Sequence, residues 1–261
     1  MTANTPAHPD YAHSFNTAAA QYATNRPTYP PTLFDTIEQA AAHPLKGARI
    51  ADVGAGTGIA TALLRARGAD VVAVEPGDGM ASQFRRSLPD TPVVRGDGDA
   101  LPLATASVDL LTYAQSWHWT NPARSLPEAM RVLRPSGSLA LWWNNPVLDV
   151  PWQAEQNRRV EEYIGGDVAE KRGSGRRART EDVFARAPYL PACTRHRIRW
   201  SRTVPLDTHL ANISSHSVFL VLGEEATAAF FAEERAHVLK TFPDGQVEEN
   251  YEVVLIVAPA A

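Results

Sequence analysis

A short apolar stretch that leads into three closely spaced glycines constrains the fold of this chain more than any other feature. Residues 50–53 predict a short buried strand. The glycines Gly54, Gly56 and Gly58 predict a tight turn directly after it, and the Ala- and Leu-rich sequence that follows predicts a helix. A side chain at these glycines would keep a ligand off the backbone or prevent the turn from closing, and the start of a helix offers unpaired N–H groups. Strand, glycine turn and helix together predict a nucleotide-binding site.

The spacing of the glycines differs from the dinucleotide-binding fingerprint. That fingerprint needs its third glycine one place later, where this chain has Ile59, and this counts against NAD. Glu75 ends the second predicted strand and could chelate a ribose diol in either class of cofactor. Two features favour an adenine-containing cofactor other than NAD. They are Asp52 before the turn and the acidic loop 96–103, which is placed to meet an adenine edge.

With these motifs the chain resembles the class I S-adenosylmethionine-dependent methyltransferases. Residues 108–119 are similar to the fourth strand of that family and the active-site edge beyond it. Residues 131–141 are similar to its helix, turn and fifth strand, with Ser136 where a second glycine is usual. The resemblance implies S-adenosylmethionine as the cofactor and transfer of its methyl group as the activity.

A narrower pattern, Ala-Gln-x-x-His-Trp at 114–119, is similar to a small-molecule branch that includes trans-aconitate methyltransferase-like proteins. Residues 22–30 and the final strand 251–258 are also similar to that branch, so the resemblance covers nearly the whole chain. It implies a small-molecule acceptor, with O-, N- and C-methylation all open. Two alternatives are a non-catalytic or cyclase-like cofactor-binding member of the same fold and an NAD-dependent oxidoreductase.

The order of the elements predicts an α/β fold. Strands alternate with helices between residues 49 and 143, and the strands are nearly continuously apolar, which predicts a parallel sheet covered on both faces. The resemblance implies a doubly wound, mostly parallel, seven-stranded Rossmann-like sheet with an antiparallel last strand and a helical lid or cap. The expected divisions are an N-terminal lid with the first helices (1–45), the cofactor-binding core (46–145), a helical cap or acceptor region with the sixth strand (146–250), and the last strand (251–261).

The expected cofactor site lies at the carboxyl edge of the sheet, where ligands of such sheets bind. The resemblance implies that Glu75 accepts from both ribose hydroxyls. It also implies that Asp97 accepts from the adenine amine beside the backbone of Gly98, and Asp99 is a rival for that contact. Asp52 would either orient the turn or bind the methionine amino group. The full set of expected cofactor-binding residues is Tyr22, Arg26, Asp52, Gly54, Ala55, Gly56, Thr57, Gly58, Glu75, Pro76, Met80, Asp97, Gly98, Asp99, Ala114 and Gln115.

The acceptor is expected beside the segment that follows the fourth strand. His118 is the candidate catalytic residue, because it is the one titratable side chain there that is suited to accept a proton near neutral pH. A histidine held in the core by a backbone carbonyl would have the same sequence signature. A carboxylate acceptor would need no base, whereas a hydroxyl, phenol, amine or carbon acceptor would. The expected acceptor-pocket residues are Trp117, Trp119, Trp143 and His216.

Composition limits the partners of the chain. Its 261 residues are 44% hydrophobic, enough for a packed core, and the net charge of −4 gives no sign of a nucleic-acid surface. The single cysteine, Cys193, and the nearby His196 lack the further ligands that a zinc site needs, so no metal is predicted. The sequence shows no secretion signal and no run of the roughly 20 apolar residues that span a bilayer. We therefore expect a cytoplasmic protein that binds neither membrane nor nucleic acid, and the sequence does not predict its oligomeric state.

Overall fold

A mixed β-sheet forms the centre of the molecule. The computed structural model describes residues 23–165 and 193–260. The strands are β1 (Arg49–Val53), β2 (Asp70–Val74), β3 (Val93–Val94), β4 (Val108–Ala114), β5 (Leu133–Pro146), β6 (Thr194–Pro205) and β7 (Gln246–Pro259). They form one seven-stranded sheet in the order β3-β2-β1-β4-β5-β7-β6.

Helices connect and flank these strands. They are α1 (Pro31–Ala41), α2 (Ile59–Ala66), α3 (Asp78–Ser87), α4 (Pro122–Val132), α5 (Pro151–Ile164), α6 (Leu206–Ser214), α7 (Ser217–Leu222) and α8 (Glu224–Thr241), and a 3-10 turn covers Trp117–Trp119. Within residues 23–165 and 193–260, none of the helices is both long and apolar enough to cross a membrane.

The directions of the strands confirm the predicted α/β fold. β1 to β5 pair in parallel, and β7 is antiparallel to both of its neighbours, β5 and β6. The sheet is therefore mostly parallel, with seven strands and an antiparallel last strand, as expected. The carboxyl ends of β1, β2, β4 and β5 meet at one edge, together with the carboxyl end of β6 and the amino end of β7.

Alternation along β5 shows how the sheet is covered on both faces. Leu139 and Leu141 belong to one apolar cluster, which also contains buried residues of α4. Ala140 and Trp142 belong to a second cluster on the other face, with buried residues of α1 and α2. Each fully buried leucine contributes about 1.5–3 kcal/mol to folding, so both faces must be covered for the sheet to be stable.

Some element boundaries differ from the sequence predictions. The apolar run of the fifth strand predicts a start at residue 138, but β5 begins at Leu133, which already pairs with Val108 across an irregularity in the register. The last strand begins at Gln246 rather than at residue 251. The sequence of residues 206–222 predicts one helix, but the chain forms α6 and α7 instead. The Ser215 hydroxyl donates to the carbonyl of Asn212 at 2.6 Å, a local bond of the kind that competes with helix continuation.

Candidate functional site

The glycine turn between β1 and α2 is left-handed at all three glycines. The φ angles are 65° at Gly54, 58° at Gly56 and 93° at Gly58. A Cβ on Gly54 would lie 2.4 Å from Cβ of Ser116, and one on Gly58 would lie 2.7 Å from Cδ1 of Leu88. Both glycines are thus needed for packing within the protein. A Cβ on Gly56 would meet no protein atom within 4 Å, so this is the part of the turn that faces open space.

Asp52 supports the turn from beneath. Its side chain is fully buried and accepts hydrogen bonds from Oγ1 of Thr61 at 2.6 Å and Oγ1 of Thr112 at 2.9 Å. Burial raises the pKa of Asp52 to about 6, although the two hydroxyls oppose this shift. Because both carboxylate oxygens are bonded to neighbouring elements, the geometry favours the orienting role over direct contact with a ligand.

Thr57 is a buried polar residue at the start of α2. It is 3% exposed, and its hydroxyl oxygen has no hydrogen-bond partner within the described part of the chain. The helix also begins without a side-chain cap. A buried hydroxyl without a partner costs about 1–3 kcal/mol, so a polar ligand that reached this position would remove a cost in the protein itself.

Glu75 bridges the glycine turn and the loop after β2. It is 6% exposed, and its two oxygens accept from the backbone N–H of Gly56 at 2.8 Å and of Gly77 at 2.7 Å. Burial raises the pKa of Glu75, and the two N–H groups oppose the shift. Nε of Arg95 donates to the Glu75 carbonyl at 3.1 Å and fixes the backbone there. The carboxylate is therefore rigidly held beside the open face of Gly56, with lone pairs left for a ligand.

The loop after β3 is shaped by two acids with different partners. Oδ1 of Asp97 accepts from the backbone N–H of Asp99 at 2.8 Å and of Ala100 at 3.1 Å, which closes a local turn. Oδ1 of Asp99 accepts from the N–H of Asn121 at 2.9 Å, immediately before α4. Gly98 lies between them and is buried. A side chain at this position would collide with the ring of Tyr113. The choice between Asp97 and Asp99 as adenine ligand stays a prediction.

Gln115 leaves the end of β4 in a conformation that is rare for a residue other than glycine. Its φ is 60°, and its N–H donates to the carbonyl of Trp142 at 2.9 Å. Its side-chain amide donates to the carbonyl of Asn144 at 3.3 Å. Such strained residues cost about 1–3 kcal/mol and cluster at functional sites. The carboxyl end of β4 thus presents Gln115 between the glycine turn and the end of β5.

His118 is held by an indole. Nε1 of Trp143 donates to Nδ1 of His118 at 3.3 Å. Since an indole N–H can only donate, Nδ1 is an acceptor here, and a neutral imidazole then carries its proton on Nε2. The ring of Trp119 lies 4.9 Å from that of His118. Trp117 is fully buried and packs edge-on against Tyr113 at 4.8 Å, so its ring belongs to the core.

The remaining predicted residues lie around this edge of the sheet. Arg26 donates to the carbonyl of Ser215 at 3.3 Å, and His216 is half-buried directly before α7. Met80 is buried in α3 and Pro76 is exposed. Tyr22 lies outside the described residues. Ala55 belongs to the glycine turn and Ala114 is the last residue of β4.

Sequence reasoning missed Asn144 and Trp200. Asn144 follows Trp143 on β5, and its side chain accepts from Nε1 of Trp200 at 3.0 Å and donates to the carbonyl of Thr28 at 3.4 Å. Trp200 in turn stacks on Tyr251 at 5.2 Å. The one available signal was the position of Asn144 at the carboxyl end of a strand next to β4, because no local motif marks contacts between residues so far apart in sequence.

Comparison with known proteins finds a family match in the central segment. Residues 51–141 match the profile of a methyltransferase domain. This segment contains β1 with the glycine turn, Glu75, and the Gln115–His118 region.

Relatives of known sequence agree with this match. A methyltransferase of uncharacterised function from Mycobacterium tuberculosis strain H37Rv is 43% identical over 158 residues, which are 60% of this chain and 61% of the relative. One from Schizosaccharomyces pombe is 32% identical over 156 residues, 59% of this chain and 62% of the relative. A demethylmenaquinone methyltransferase from Beutenbergia cavernae is 37% identical over 107 residues, 41% of this chain and 44% of that protein. The chain thus matches under two thirds of the length of these relatives.

Solved structures share the fold. A structure from Anaeromyxobacter dehalogenans, provisionally described as a type II methyltransferase, superposes with a TM-score of 0.65 and 22% identity, covering 90% of this chain and 98% of that one. An S-adenosylmethionine-dependent methyltransferase from Thermotoga maritima gives a TM-score of 0.51 and 18% identity, covering 96% of this chain and all of that one. At these identities the likeness extends to the fold alone.

Proposed function

We propose that this protein is an S-adenosylmethionine-dependent methyltransferase that acts on a small-molecule acceptor. The observation that carries the proposal is the arrangement of Gly56 and Glu75 within the segment that matches a methyltransferase domain. A buried carboxylate at the end of β2 lies against the one glycine of the turn that faces open space.

The residues at this edge fit S-adenosylmethionine. The Glu75 carboxylate can accept from a ribose diol, and the open face of Gly56 lets a ligand approach the backbone. The hydroxyl of Thr57 is buried without a partner within the described residues, and so offers a hydrogen bond to a polar ligand group. When bound, S-adenosylmethionine supplies a methyl group on a positively charged sulfur, which a nucleophile can attack. The protein then has to hold the acceptor in line and exclude water.

The chemistry at the acceptor follows from the His118–Trp143 bond. While Trp143 donates to Nδ1, the lone pair of that nitrogen is occupied and a neutral His118 carries its proton on Nε2. We therefore assign His118 the role of donating a hydrogen bond to the acceptor rather than that of a general base. This assignment favours an acceptor whose reactive atom is nucleophilic without losing a proton to His118.

A small-molecule acceptor is supported by the relatives and by charge. One relative is named for demethylmenaquinone, a small molecule. The net charge of −4 gives no electrostatic support to nucleic acid as the substrate. Membership of the trans-aconitate methyltransferase-like branch, proposed on the Ala-Gln-x-x-His-Trp pattern, is part of the same hypothesis.

Isotope transfer tests the proposal directly. The purified protein is incubated with methyl-deuterated S-adenosylmethionine and a metabolite extract, and mass spectrometry detects products whose mass carries the label. A labelled small molecule supports the proposal and identifies the methylated atom by fragmentation. Binding of S-adenosylhomocysteine without any labelled product would favour the non-catalytic alternative, and binding of NADH instead would favour the oxidoreductase.

A pair of variants on β2 links activity to the proposed site. Glu75→Gln removes the charged acceptor at the carboxyl end of the strand, and we expect the affinity for S-adenosylhomocysteine to fall about tenfold or more. Asp70→Asn makes the same chemical change at the exposed amino end of the same strand and should leave the affinity unchanged. Equal affinities for the two variants, measured by calorimetry, would contradict the assignment of Glu75.

A further inference from the structure

Arg202 binds the start of the described N-terminal segment to β6, the edge strand of the sheet. Arg202 on β6 donates from its two terminal nitrogens to the carbonyls of Asn25 at 3.1 Å and Arg26 at 3.4 Å. We call residues 25–30, which run from these carbonyls to the start of α1, the strap. The planar guanidinium is well suited to this task, because it presents several N–H donors in a fixed fork.

Glu249 fixes the orientation of that guanidinium. Arg202 and Glu249 are direct partners across β6 and β7, and Nε of Arg202 donates to Oε2 of Glu249 at 2.6 Å. The side chain of Glu249 is 2% exposed and that of Arg202 is 18% exposed. Burial tends to raise the pKa of Glu249, but the hydrogen bond from His209 and the charge of Arg202 outweigh it and hold the pKa below its usual range. The pair is therefore ionised and shielded from water.

Three helices support the pair from behind. Oε1 of Glu249 accepts from Nδ1 of His209 on α6 at 2.7 Å, and the other ring nitrogen faces Oε1 of Gln156 on α5 at 3.1 Å. Gln156 uses its own N–H to donate to Glu234 on α8 at 3.2 Å, so its oxygen must face His209. His209 thus connects Glu249 to Gln156, and Gln156 connects it to Glu234. A network this extensive holds Arg202 in one rotamer.

The strap connects Arg202 to residues on the acceptor side of the site. Its Thr28 carbonyl accepts from Asn144 at the end of β5, and the backbone carbonyl of Asn144 accepts from Gln115. The ring of Tyr29 packs edge-on against Trp142 at 5.7 Å. These contacts lie over β5, β7 and β6, whereas the glycine turn and Glu75 lie over β1 and β2. The strap therefore borders the acceptor half of the edge. This places Arg26, and through Asn144 also Gln115, beside the acceptor, although the resemblance assigns both residues to the cofactor.

We propose that Arg202 is a positioning residue for the acceptor: held by Glu249, it fixes the strap, and through the strap the Asn144–Gln115 contact, where the acceptor binds. The inference rests on the proposed methyltransferase function. Loss of the Arg202 fork should loosen the start of the strap, although its contacts at Thr28 and Tyr29 remain, and should weaken acceptor binding. The region of Gly56 and Glu75, which Arg202 does not touch, should keep its affinity for the cofactor.

A nitroxide probe tests the position of the strap without any substrate. Because the chain has one cysteine, Cys193→Ser with Thr28→Cys gives a single labelling site on the strap, where Thr28 is exposed. We expect the nitroxide to be immobilised in this background and to become about tenfold more mobile when Arg202→Gln is added. The matched control is Arg199→Gln on the same strand, where Arg199 is exposed and pairs with Asp149 at 2.5 Å. A probe that moves equally in both variants would overturn the proposal.

Kinetics separate a positioning role from a merely structural one. With the acceptor identified by isotope transfer, Arg202→Gln should raise the acceptor KM about tenfold and change the dissociation constant of S-adenosylhomocysteine less than about threefold. A parallel loss of both affinities would overturn the proposal. Arg202→Lys serves if Arg202→Gln does not fold, because it keeps the charge beside Glu249 but cannot reproduce the planar fork. Absence of methyl transfer by the wild type would refute the proposed function alone, since the nitroxide experiment still tests the strap.

Discussion

Asp52 is ionised at neutral pH although it is completely buried, and this makes it a source of pH-dependent stability. Burial raises its pKa from 3.8 to about 6. The native state therefore binds this proton more tightly than the unfolded state, so the contribution of Asp52 is fully present below pH 3.8 and is lost as the pH rises through 6. Because the native pKa is about two above the unfolded value, the buried charge of Asp52 lowers the free energy of unfolding at pH 7 by about 3 kcal/mol.

Asp52→Asn should remove this dependence. A neutral amide can still accept from one of Thr61 and Thr112 and donate to the other, since a hydroxyl can do both. We expect the variant to unfold with a free energy up to about 3 kcal/mol above the wild type at pH 7 and to show a smaller fall in stability between pH 4 and 6. Urea unfolding at several pH values measures both quantities. Identical pH profiles for variant and wild type would show that Asp52 does not titrate in this range.

At the scale of the element, the glycine turn combines two functions that substitution can separate. Gly54→Ala places a methyl group against Ser116, so we expect it to reduce the free energy of unfolding by about 3 kcal/mol or more. Gly56→Ala meets only open space and should cost about 1–2 kcal/mol from its left-handed backbone. The same methyl group would lie where we expect the ligand to approach. Gly56→Ala should therefore strongly reduce the affinity for S-adenosylhomocysteine, although it reduces the free energy of unfolding only slightly. Thermal unfolding and calorimetry on both variants check this separation, which fails if Gly56→Ala binds like the wild type.

The elements also show what sequence could predict. The strand–turn–helix at 49–66 and the alternation of strands and helices that gives the sheet are local patterns, and spacing and hydrophobic periodicity predict them correctly. The role of Glu75 at the end of β2 stays a prediction. Asn144, Arg202 and Glu249 carry no such pattern. Their roles depend on which strands become neighbours, and β7 reaches its place between β5 and β6 from the end of the chain. The split between α6 and α7 was missed for a different reason, because serine side chains there bond to the local backbone.

At the scale of the whole molecule, β7 joins the half of the sheet that carries the glycine turn to the half that carries the strap. It pairs with β5 from Ser138 to Pro146 and with β6 from Thr194 to Pro205, so neither half can separate without breaking a continuous ladder. The Arg202–Glu249 pair and the helices behind it add buried polar bonds on the same side. We therefore expect the described parts of the molecule to unfold as one cooperative unit.

Ligand binding provides the test of that cooperativity. S-adenosylhomocysteine at a hundred times its dissociation constant should raise the free energy of unfolding by about 2.7 kcal/mol, because only the native state binds it. In one cooperative unit, hydrogen exchange in urea should report the same increase for peptides of β1 and β2, beside the ligand, as for peptides of β6 and α6 at the other end of the sheet. Glu75→Gln at the same ligand concentration should show a much smaller increase in both places. An increase confined to β1 and β2 would mean that the β6 side unfolds independently, and that the ladder through β7 does not couple the two halves.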